Sequence, residues 1–488
     1  MKKITFLLSL IFYLGGFSQS NLEQEFLVSL NHKYSEDQTT ISVYNEDREE
    51  LIIVTTQKKS LLINVLDSTF QLKRTFEIDR PGKNDAMLLG ILQKGDSLLI
   101  TYSNKLFTGI SSQYIDVITG SMYPNISGEK ILYQQYLASE IIDNELYVLS
   151  IRDNKSDLYV YHFKSDQSME IMAFPFGDTK FLDDKYEFYL YNLLKKGNLL
   201  MQKISDEGPS SIELVSRHNK VYFKENEIIL TIDFFRNMTK FISLNLTDTT
   251  KIVKDFMQPL VVDNTTIPGS SNSFLYNNFL FQINVSSLQL ALNIKSINDG
   301  ELQKEFRFNL KDTLLLNNST IMQHGVALDY DYIFFWEQNE TRELTKSKQV
   351  LRKLGRSDVG INVYEYAGIL DVTVGGVIDI IGGNSDYQYN PGFKLSMPPI
   401  GYYSALTYSL YKSLRSKTVQ FHSLLSNQSF DRLDNSMDNS IFYSLFEILE
   451  EKKDIIYVED FFRMKESYYI LIYVKPEKKH NLIRLVPK

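Results

Sequence analysis

The sequence contains no cysteine and only one tryptophan in its 488 residues. The absence of cysteine excludes disulfide bonds, which are the usual staple of small secreted domains, and it excludes a thiol nucleophile or a thiolate metal ligand. Stability must therefore come from a large apolar core. The composition supplies the material for one, because 43% of the residues are hydrophobic and the chain carries 31 tyrosines and 31 phenylalanines.

The sequence also lacks the short motifs that mark common enzymes. Its six histidines occur singly, and there is no HExxH zinc motif, no GxSxG nucleophile elbow and no glycine-rich phosphate loop. We therefore predict neither a metal site nor a cofactor, and we favour a binding function over catalysis. A glycosidase requires a pair of carboxylates that can come from distant segments, and such a pair leaves no local motif. Catalysis of this kind therefore stays an alternative.

Positive charge is in deficit as well. The net charge is −8, and removal of residues 1–18, which contain two lysines, would change it to −10. Nucleic acid phosphates select basic surfaces, so we predict no nucleic acid partner. An acidic chain is equally unsuited to electrostatic docking on anionic lipid.

The first residues have the three-part pattern of a secretory signal. Lys2 and Lys3 precede an apolar run over residues 4–14, and a small-x-small triplet ends at Ser18. We predict cleavage after Ser18, with Gln19 as the new N-terminus. No cysteine follows the apolar run, so we do not expect a lipoprotein. The lysine pair, the lack of disulfides and the Asn/Lys/Ile-rich composition favour export to a bacterial periplasm or the extracellular space, and no later run of apolar residues predicts a transmembrane helix.

Apolar residues alternate with polar ones over many short segments. Successive side chains of a strand point to opposite faces, so this period of two predicts half-buried β-strands. Other segments are apolar at every position, which is typical of strands at the centre of packed sheets. The clearest alternating segments are LQLALNI (288–294), EFRFNL (305–310) and FISLNL (241–246), and the continuous ones are ELYVLSI (145–151) and YYILIYV (468–474).

The strands recur as hairpins with short turns rich in Gly, Asn and Asp, which tolerate the positive φ of tight turns. The turn centres lie near Arg48, Gly95, Asn144, Gly197, Asn278 and Tyr330. Most lie about 50 residues apart, which suits four-stranded propeller blades. One interval, of 81 residues, contains an additional hairpin (VYF-KENE-IILTIDF) and predicts either one enlarged blade or two short ones.

We therefore predict an all-β chain, a β-propeller of about seven irregular blades, with six or eight also compatible. Tandem β-sandwiches are the alternative. Blades are expected over residues 19–340, a blade with a loop and helical insertion over 341–454, and closing strands over 455–488. The strand after the signal, near residues 25–30, is expected to pair with the C-terminal strands and close the ring.

Helices are expected only in the insertion. ETRELTKSKQVLRKLG (340–355) spaces Leu344, Leu351 and Leu354 for a helix that Gly355 ends. A second helix is expected after Ser440, which is a suitable N-cap residue. TYSLYKSL (407–414) is compatible with helix or strand.

Two glycine-rich stretches invite a functional interpretation. Gly375 and Gly376 lack the lysine and helix start of a phosphate loop, so we interpret them as positions of close strand approach. The following loop carries Tyr387, Tyr389 and Phe393 between glycine and proline. These three aromatic residues are our predicted ligand-binding platform, for a sugar ring or a side chain of a partner protein.

Acidic clusters are sparse. DNSMDNS (434–440) resembles a calcium loop only faintly, because it lacks the central glycine and the glutamate at the last ligand position, so we interpret it as a linker that caps the next helix. Asp329 and Asp331 occupy a turn where aspartate is expected on backbone grounds. Trp336, the only tryptophan, is interpreted as core packing.

These patterns favour an exported propeller-like binding or interaction protein with an unidentified protein or glycan partner. The alternative is a glycan-active hydrolase or lyase whose carboxylates converge in the central channel. Fold class alone does not decide between them.

Overall fold

The computed structural model describes most of the chain. The described ranges are 22–30, 38–57, 59–80, 87–104, 106–126, 131–153, 155–164, 168–177, 179–182, 186–195, 201–205, 208–262, 269–312, 316–324, 326–327, 338–339, 342–366, 368–377, 418–434, 455–465 and 467–485.

The first half of the chain forms an N-terminal strand, β1, and three four-stranded antiparallel sheets, blades 1 to 3. Strand β1 spans Leu22–Val28. Blade 1 comprises β2 (Thr39–Asn45), β3 (Glu50–Thr56), β4 (Ser60–Leu66) and β5 (Leu72–Asp79). Blade 2 comprises β6 (Met87–Lys94), β7 (Ser97–Ser103), β8 (Ile110–Asp116) and β9 (Met122–Ile126). Blade 3 comprises β10 (Gln134–Ile142), β11 (Glu145–Arg152), β12 (Leu158–Phe163) and β13 (Met169–Phe174).

A long connection then leads to blades 4 and 5. It contains β14 (Lys180–Leu182), β15 (Glu187–Tyr189) and α1 (Leu190–Lys195). Blade 4 has five strands, β16 (Gln202–Ile204), β17 (Asn219–Phe223), β18 (Glu227–Ile232), β19 (Met238–Asn245) and β20 (Lys251–Met257), with the short helix α2 (Ile212–Val215) between the first two. Blade 5 comprises β21 (Ser270–Tyr276), β22 (Phe279–Val285), β23 (Gln289–Ser296) and β24 (Leu302–Asn309).

A second long connection leads to blades 6 and 7. It contains β25 (Met322–His324), β26 (Val326–Ala327), β27 (Gln338–Asn339), β28 (Arg342–Glu343) and α3 (Ser347–Leu354). Blade 6 comprises β29 (Asp358–Tyr366), β30 (Ile369–Val377) and β31 (Thr418–Ser426), with β25 and β28 added at its outer edge. Blade 7 comprises β32 (Ile456–Met464), β33 (Ser467–Val474) and β34 (Lys479–Leu485), and β1 is its fourth strand.

The blades are arranged as a β-propeller. Strands of neighbouring blades contact one another in sequence, from β32 to β2, from β2 to β6, from β6 to β10 and from β10 to β17, and β21 contacts both β18 of blade 4 and β29 of blade 6. The apolar clusters lie between neighbouring sheets rather than within one pair of sheets. One cluster joins blades 1 and 2, another blades 2 and 3, another blades 3 and 4, and the largest joins blades 4, 5 and 6. The tandem-sandwich alternative is therefore wrong.

Strand β1 closes the ring, as predicted for the segment near residues 25–30. It pairs antiparallel with β34, with Phe26 opposite Leu482 and Val28 opposite His480. Val28 is 2% exposed and belongs to the cluster in which Leu51 and Ile53 of blade 1 meet residues of blade 7. The first strand of the chain therefore completes the last blade and seals its junction with the first.

One turn of the predicted spacing is wrong. The segment before Gly197 is not the first strand of a blade hairpin, because residues 190–195 form α1, in which Leu190, Leu193 and Leu194 are buried at helical spacing. The hairpin of blade 4 is the additional one, VYF-KENE-IILTIDF, with its turn at residues 224–226. Of the two alternatives for the interval of 81 residues, one enlarged blade is correct, because β16 to β20 form a single sheet.

The strands that flank the turn predicted near Tyr330 do not begin a blade. The described strands on either side of that turn, β26 and β27, pair in a separate two-stranded sheet between blades 5 and 6, so they are not the start of a blade. Helix α3 confirms the second part of the first predicted helix, and Gly355 donates its N–H to Leu351 O at its end (2.8 Å). The first part is wrong, because residues 342–343 form β28 and Leu344 precedes the helix. The helix expected after Ser440 and the segment 407–414 lie outside the described residues. In the described ranges, no helix has the length and apolar character needed to span a membrane.

Deletion of residues 19–31 is expected to lower the melting temperature markedly, because it removes the outer strand of blade 7 and opens the junction with blade 1. Two single substitutions on β1, compared with each other, measure how much the packing of its buried face stabilises the protein. Val28→Ser should lower the free energy of unfolding by about 2–4 kcal/mol, since a buried methyl pair is lost and a hydroxyl is buried.

Leu27→Ser is the matched control, because Leu27 lies next to Val28 on the same strand and is 56% exposed. It should change the free energy of unfolding, measured by urea denaturation, by no more than about 0.5 kcal/mol. Equal effects of the two substitutions, or an unchanged melting curve after the deletion, would contradict the ring closure.

Candidate functional site

The two ends of the blades differ in the length of their connections. With the strands of blade 4 counted from β17, the first and second strands of every blade are joined by tight turns of five residues or fewer, as are the third and fourth strands of blades 1 to 5. Asn144 and Gly95 adopt positive φ in two of these turns, at 58° and 54°. The long connections that contain α1 and α3 follow the fourth strands of blades 3 and 5, and α2 precedes β17. We call these the turn end and the connection end.

Large hydrophobic side chains are exposed in a selective pattern. In the described part of the chain, each one lies either on the outermost strand of a blade or in a segment of the connection end, and none lies within a tight turn. The exposed residues of the connection end are Leu106, Leu132, Tyr133, Leu182, Tyr186, Tyr189, Leu260, Val262 and Ile455. In the described residues, the exposed large hydrophobic side chains are therefore confined to the connection end and to the outermost strands.

Three of these residues lie on two hydrogen-bonded loops at the junction of blades 2 and 3, and together we call them the 106/133 patch. It consists of Leu106, Leu132 and Tyr133, which are 79%, 55% and 73% exposed. The two segments are joined by a backbone hydrogen bond from Ile131 N to Thr108 O (3.0 Å). The carbonyl of Tyr133 in turn accepts a hydrogen bond from the backbone N–H of residue 153 in the next loop (2.7 Å).

The backbone of this patch is strained. Phe107 and Tyr133 have φ values of 52° and 58°, and Ser156 in the neighbouring loop has a φ of 60°. Left-handed conformations of such residues cost about 1–3 kcal/mol each and are retained where the surroundings fix them. Here Phe107 is 2% exposed, so its burial fixes a loop whose neighbour Leu106 is left in solvent.

The predicted aromatic platform, Tyr387, Tyr389 and Phe393, lies outside the described residues. Its flanking strands are described. Val377 and Thr418 pair opposite each other at the ends of β30 and β31, so the stretch that joins them begins and ends at the connection end. The platform stays a prediction. The cleavage site at Ser18 and Gln19 also lies outside the described residues, as do Asp329, Asp331, Trp336 and the calcium-like positions after Asp434.

Gly375 and Gly376 have the structural role predicted for them. A Cβ atom at Gly375 would lie 2.6 Å from Val419 O and 2.8 Å from Ile212 Cγ1, and a Cβ at Gly376 would meet Ser357 Oγ. The absence of side chains lets α2 pack directly against β30.

A polar group that the sequence did not reveal lies on blade 6. His422 on β31 has its Nδ1 atom 2.9 Å from Asp371 Oδ1 and 3.3 Å from Thr373 Oγ1 on β30. Burial lowers the pKa of His422, but the charge of Asp371 and its hydrogen bond outweigh burial, so the pKa lies above the usual 6.5. Asp371 therefore fixes the imidazole orientation and favours its charged form. Cross-strand neighbours of this kind have no local sequence signature.

A second polar group is fully enclosed between blades 4 and 5. Lys220 on β17 is 0% exposed and places its amine 3.1 Å from Asp233 Oδ2 and against Asn272 Oδ1 on β21. Asp233 also accepts hydrogen bonds from Thr239 Oγ1 (2.7 Å) and Ser273 Oγ (2.8 Å). The only signal in the sequence was a lysine within an otherwise buried strand, NKVYF.

Other buried carboxylates are held by cations or N–H donors. Glu50 is 1% exposed and lies 2.6 Å from Lys73 Nζ and 2.7 Å from Arg74 Nη2. Asp460 accepts the backbone N–H of Ser42 (2.6 Å), which ties blade 7 to blade 1. Carboxylates with such partners have a structural role. Over the described ranges, no three His, Asp or Glu side chains are grouped to hold a metal ion.

Comparison with known proteins adds no functional assignment. No protein-family model matches the chain, and no curated protein matches it. Among solved structures it is similar to the WD40 domain of SCAP from fission yeast, at 10% identity over 96% of this chain and 92% of that chain, with a TM-score of 0.28.

It is also similar to a subtype N10 neuraminidase-like protein of A/little yellow-shouldered bat/Guatemala, at 9% identity over 73% of this chain and 94% of that chain, with a TM-score of 0.27. A mutant of AofleA from Arthrobotrys oligospora matches at 9% identity over 85% of this chain and 90% of that chain, with a TM-score of 0.25. At these values the likenesses carry no argument about function.

The pH dependence of stability tests the Asp371–His422 pair. The folded-state pKa of His422 is raised, so its stabilisation is complete below the unfolded pKa of about 6.5 and is lost as pH rises through the folded value. The free energy of unfolding of the wild type, relative to His422→Gln, should therefore be larger at pH 6 than at pH 9 in urea titrations. Asp371→Asn should remove this difference, and a difference that is equal at both pH values would contradict the pairing.

Proposed function

We propose that the protein is an exported, non-enzymatic binding protein that presents the connection end of its propeller to a partner protein in the bacterial envelope or outside the cell. The observation that carries the proposal is the 106/133 patch. Three large apolar side chains are solvent-exposed on two hydrogen-bonded loops, and each loop contains a residue whose left-handed backbone is held by its surroundings. A soluble monomer gains nothing from such an arrangement unless something covers it.

The chemistry of the patch favours a protein over a glycan. Sugar rings stack on flat aromatic faces and need convergent hydrogen-bond donors, whereas two of the three exposed side chains are leucines. Leucine and tyrosine together suit the apolar anchors of a protein interface, where tyrosine is enriched. The aromatic loop predicted from the sequence, between β30 and β31, would extend the same end of the ring.

The hydrolase alternative receives no support from a specific observation. The described buried acids, such as Glu50, Asp233 and Asp460, are engaged by lysine, arginine, hydroxyl or backbone N–H groups. A retaining or inverting glycosidase needs one carboxyl group kept protonated and the other accessible to the sugar.

Binding is tested with two matched triple variants. One replaces Leu106, Leu132 and Tyr133 with serine. The other replaces Ile252, Val253 and Met257 on β20, which are 52%, 41% and 54% exposed, with serine as the control. Immobilised wild type and both variants are incubated with envelope and secreted fractions of the producing cell and, in parallel, with a glycan array.

We expect one protein to be retained by the wild type and the β20 variant. The patch variant should bind it at least about thirtyfold more weakly in titrations with that purified protein, which corresponds to about 2 kcal/mol of hot-spot energy. Equal affinity of all three proteins would contradict the proposed surface. If the wild type and the β20 variant bind the glycan array and the patch variant does not, the partner is a glycan and not a protein.

Export is tested separately from binding. When the full chain is expressed with its own first residues in a bacterium, N-terminal peptide sequencing of the exported fraction should begin at Gln19. Recovery of the intact N-terminus from the cytoplasm would contradict the export component and would leave the binding surface untouched.

A further inference from the structure

The Lys220 cluster brings together groups that can react with one another. Lys220 and Asn272 are 0% exposed, and Asp233 is 2% exposed. The lysine amine contacts the side-chain oxygen of Asn272, and Asp233 Oδ2 lies 3.1 Å from the same amine. An amine, a carboxamide and a carboxylate therefore share one water-excluded space between the inner strands of blades 4 and 5.

The carboxamide of Asn272 is fixed in orientation and polarised. Its Nδ2 atom donates hydrogen bonds to Ser216 O (2.9 Å) and Val359 O (2.8 Å). Its Oδ1 atom accepts the backbone N–H of Ser273 (2.8 Å). A backbone N–H in this position stabilises negative charge that develops on a carbonyl oxygen under nucleophilic attack.

The amine is prepared as a nucleophile by its surroundings. Burial lowers the pKa of Lys220, although Asp233 opposes this effect. A buried lysine that loses its proton is nucleophilic, and proton transfer to a carboxylate replaces a buried ion pair with a neutral pair. The Thr239 and Ser273 hydroxyls hold Asp233 beside the amine, so Asp233 is placed to receive the proton.

We propose that Lys220 and Asn272 become joined by an intramolecular amide bond. Asp233 accepts a proton from the Lys220 ammonium, and the freed lone pair of Nζ forms a bond to Cγ of Asn272. The resulting oxyanion is stabilised by the N–H of Ser273. Asp233 passes this first proton to Nδ2 and takes up the second proton from Nζ, and the Cγ–Nδ2 bond breaks. The departing ammonia takes the proton from Asp233 and leaves as ammonium, so Asp233 is again a carboxylate. The products are one amide and one ammonium ion, with no oxidant or cofactor required.

The bond would provide what the composition lacks. An exported chain without cysteine has no disulfide, and a covalent link between β17 and β21 would tie blades 4 and 5 of the ring together. Proximity supplies the rate, because both side chains are held in contact by the folded blades and not by diffusion. The reaction therefore belongs to the folded protein.

Peptide mapping tests the bond directly. The chain is expressed without residues 1–19, since an N-terminal Gln19 also loses ammonia when it cyclises. Its intact mass should lie about 17 Da below the calculated value, the mass of one ammonia. After trypsin, the peptide 218–224, uncut at Lys220, should be found attached to the peptide 255–295. Recovery of both peptides unlinked, with trypsin cutting after Lys220, would overturn the proposal and leave a buried ion pair.

Variants separate the bond from the fold. Asn272→Ala removes the electrophile and Asp233→Asn removes the base with little change of shape, so both should give the full calculated mass. Circular dichroism must show native sheet content for the mass to be interpreted. If Asp233→Asn folds and still forms the linked peptide, the role of Asp233 is wrong. If it folds and the linkage is lost, the assigned base is supported.

Discussion

The pairing of β1 with β34 is the contact on which the ring depends. Every other blade draws its strands from consecutive stretches of the chain or from the connection immediately before it, so each can form as its own segment folds. Blade 7 cannot, because its fourth strand lies more than 400 residues away in the sequence. The apolar cluster between blades 7 and 1 contains Val28, and without that strand the buried faces of Leu51 and Leu482 would meet water. Closure thus turns a row of sheets into a ring in which each sheet has a neighbour on both faces.

The two ends of the ring also differ in the contacts that they make. The tight turns are drawn together by contacts between neighbouring blades, as where Asn45 Nδ2 donates to Gly95 O (3.1 Å) and Lys465 pairs with Glu49 (2.9 Å). These contacts pair polar groups of one tight turn with polar groups of the turn on the neighbouring blade. The connection end carries the long segments and the 106/133 patch, so it is the end on which we place partner binding. At Leu106 this exposure accompanies the burial of the neighbouring residue Phe107.

The sequence was sufficient for the architecture and insufficient for the polar sites. Period-two alternation and turn residues predicted the strands of blades 1, 2, 3 and 5, because these blades have tight hairpins whose chemistry is local. Blade 4 was misplaced, since LYNLLK reads as an apolar strand in isolation while its leucines recur at helical spacing. The Lys220 and His422 groups could not be predicted. Their members come from different strands or blades, and only the register between strands brings them into contact.

The closed ring can be measured most directly by native-state hydrogen exchange. If β1 is the outer strand of blade 7, the amides of residues 22–28 that bond to β34 should exchange only through the opening that also exposes β33, with closely similar protection. Rapid exchange of β1, at the rate of an unpaired terminal segment, together with slow exchange of β33, would contradict the closure of the ring.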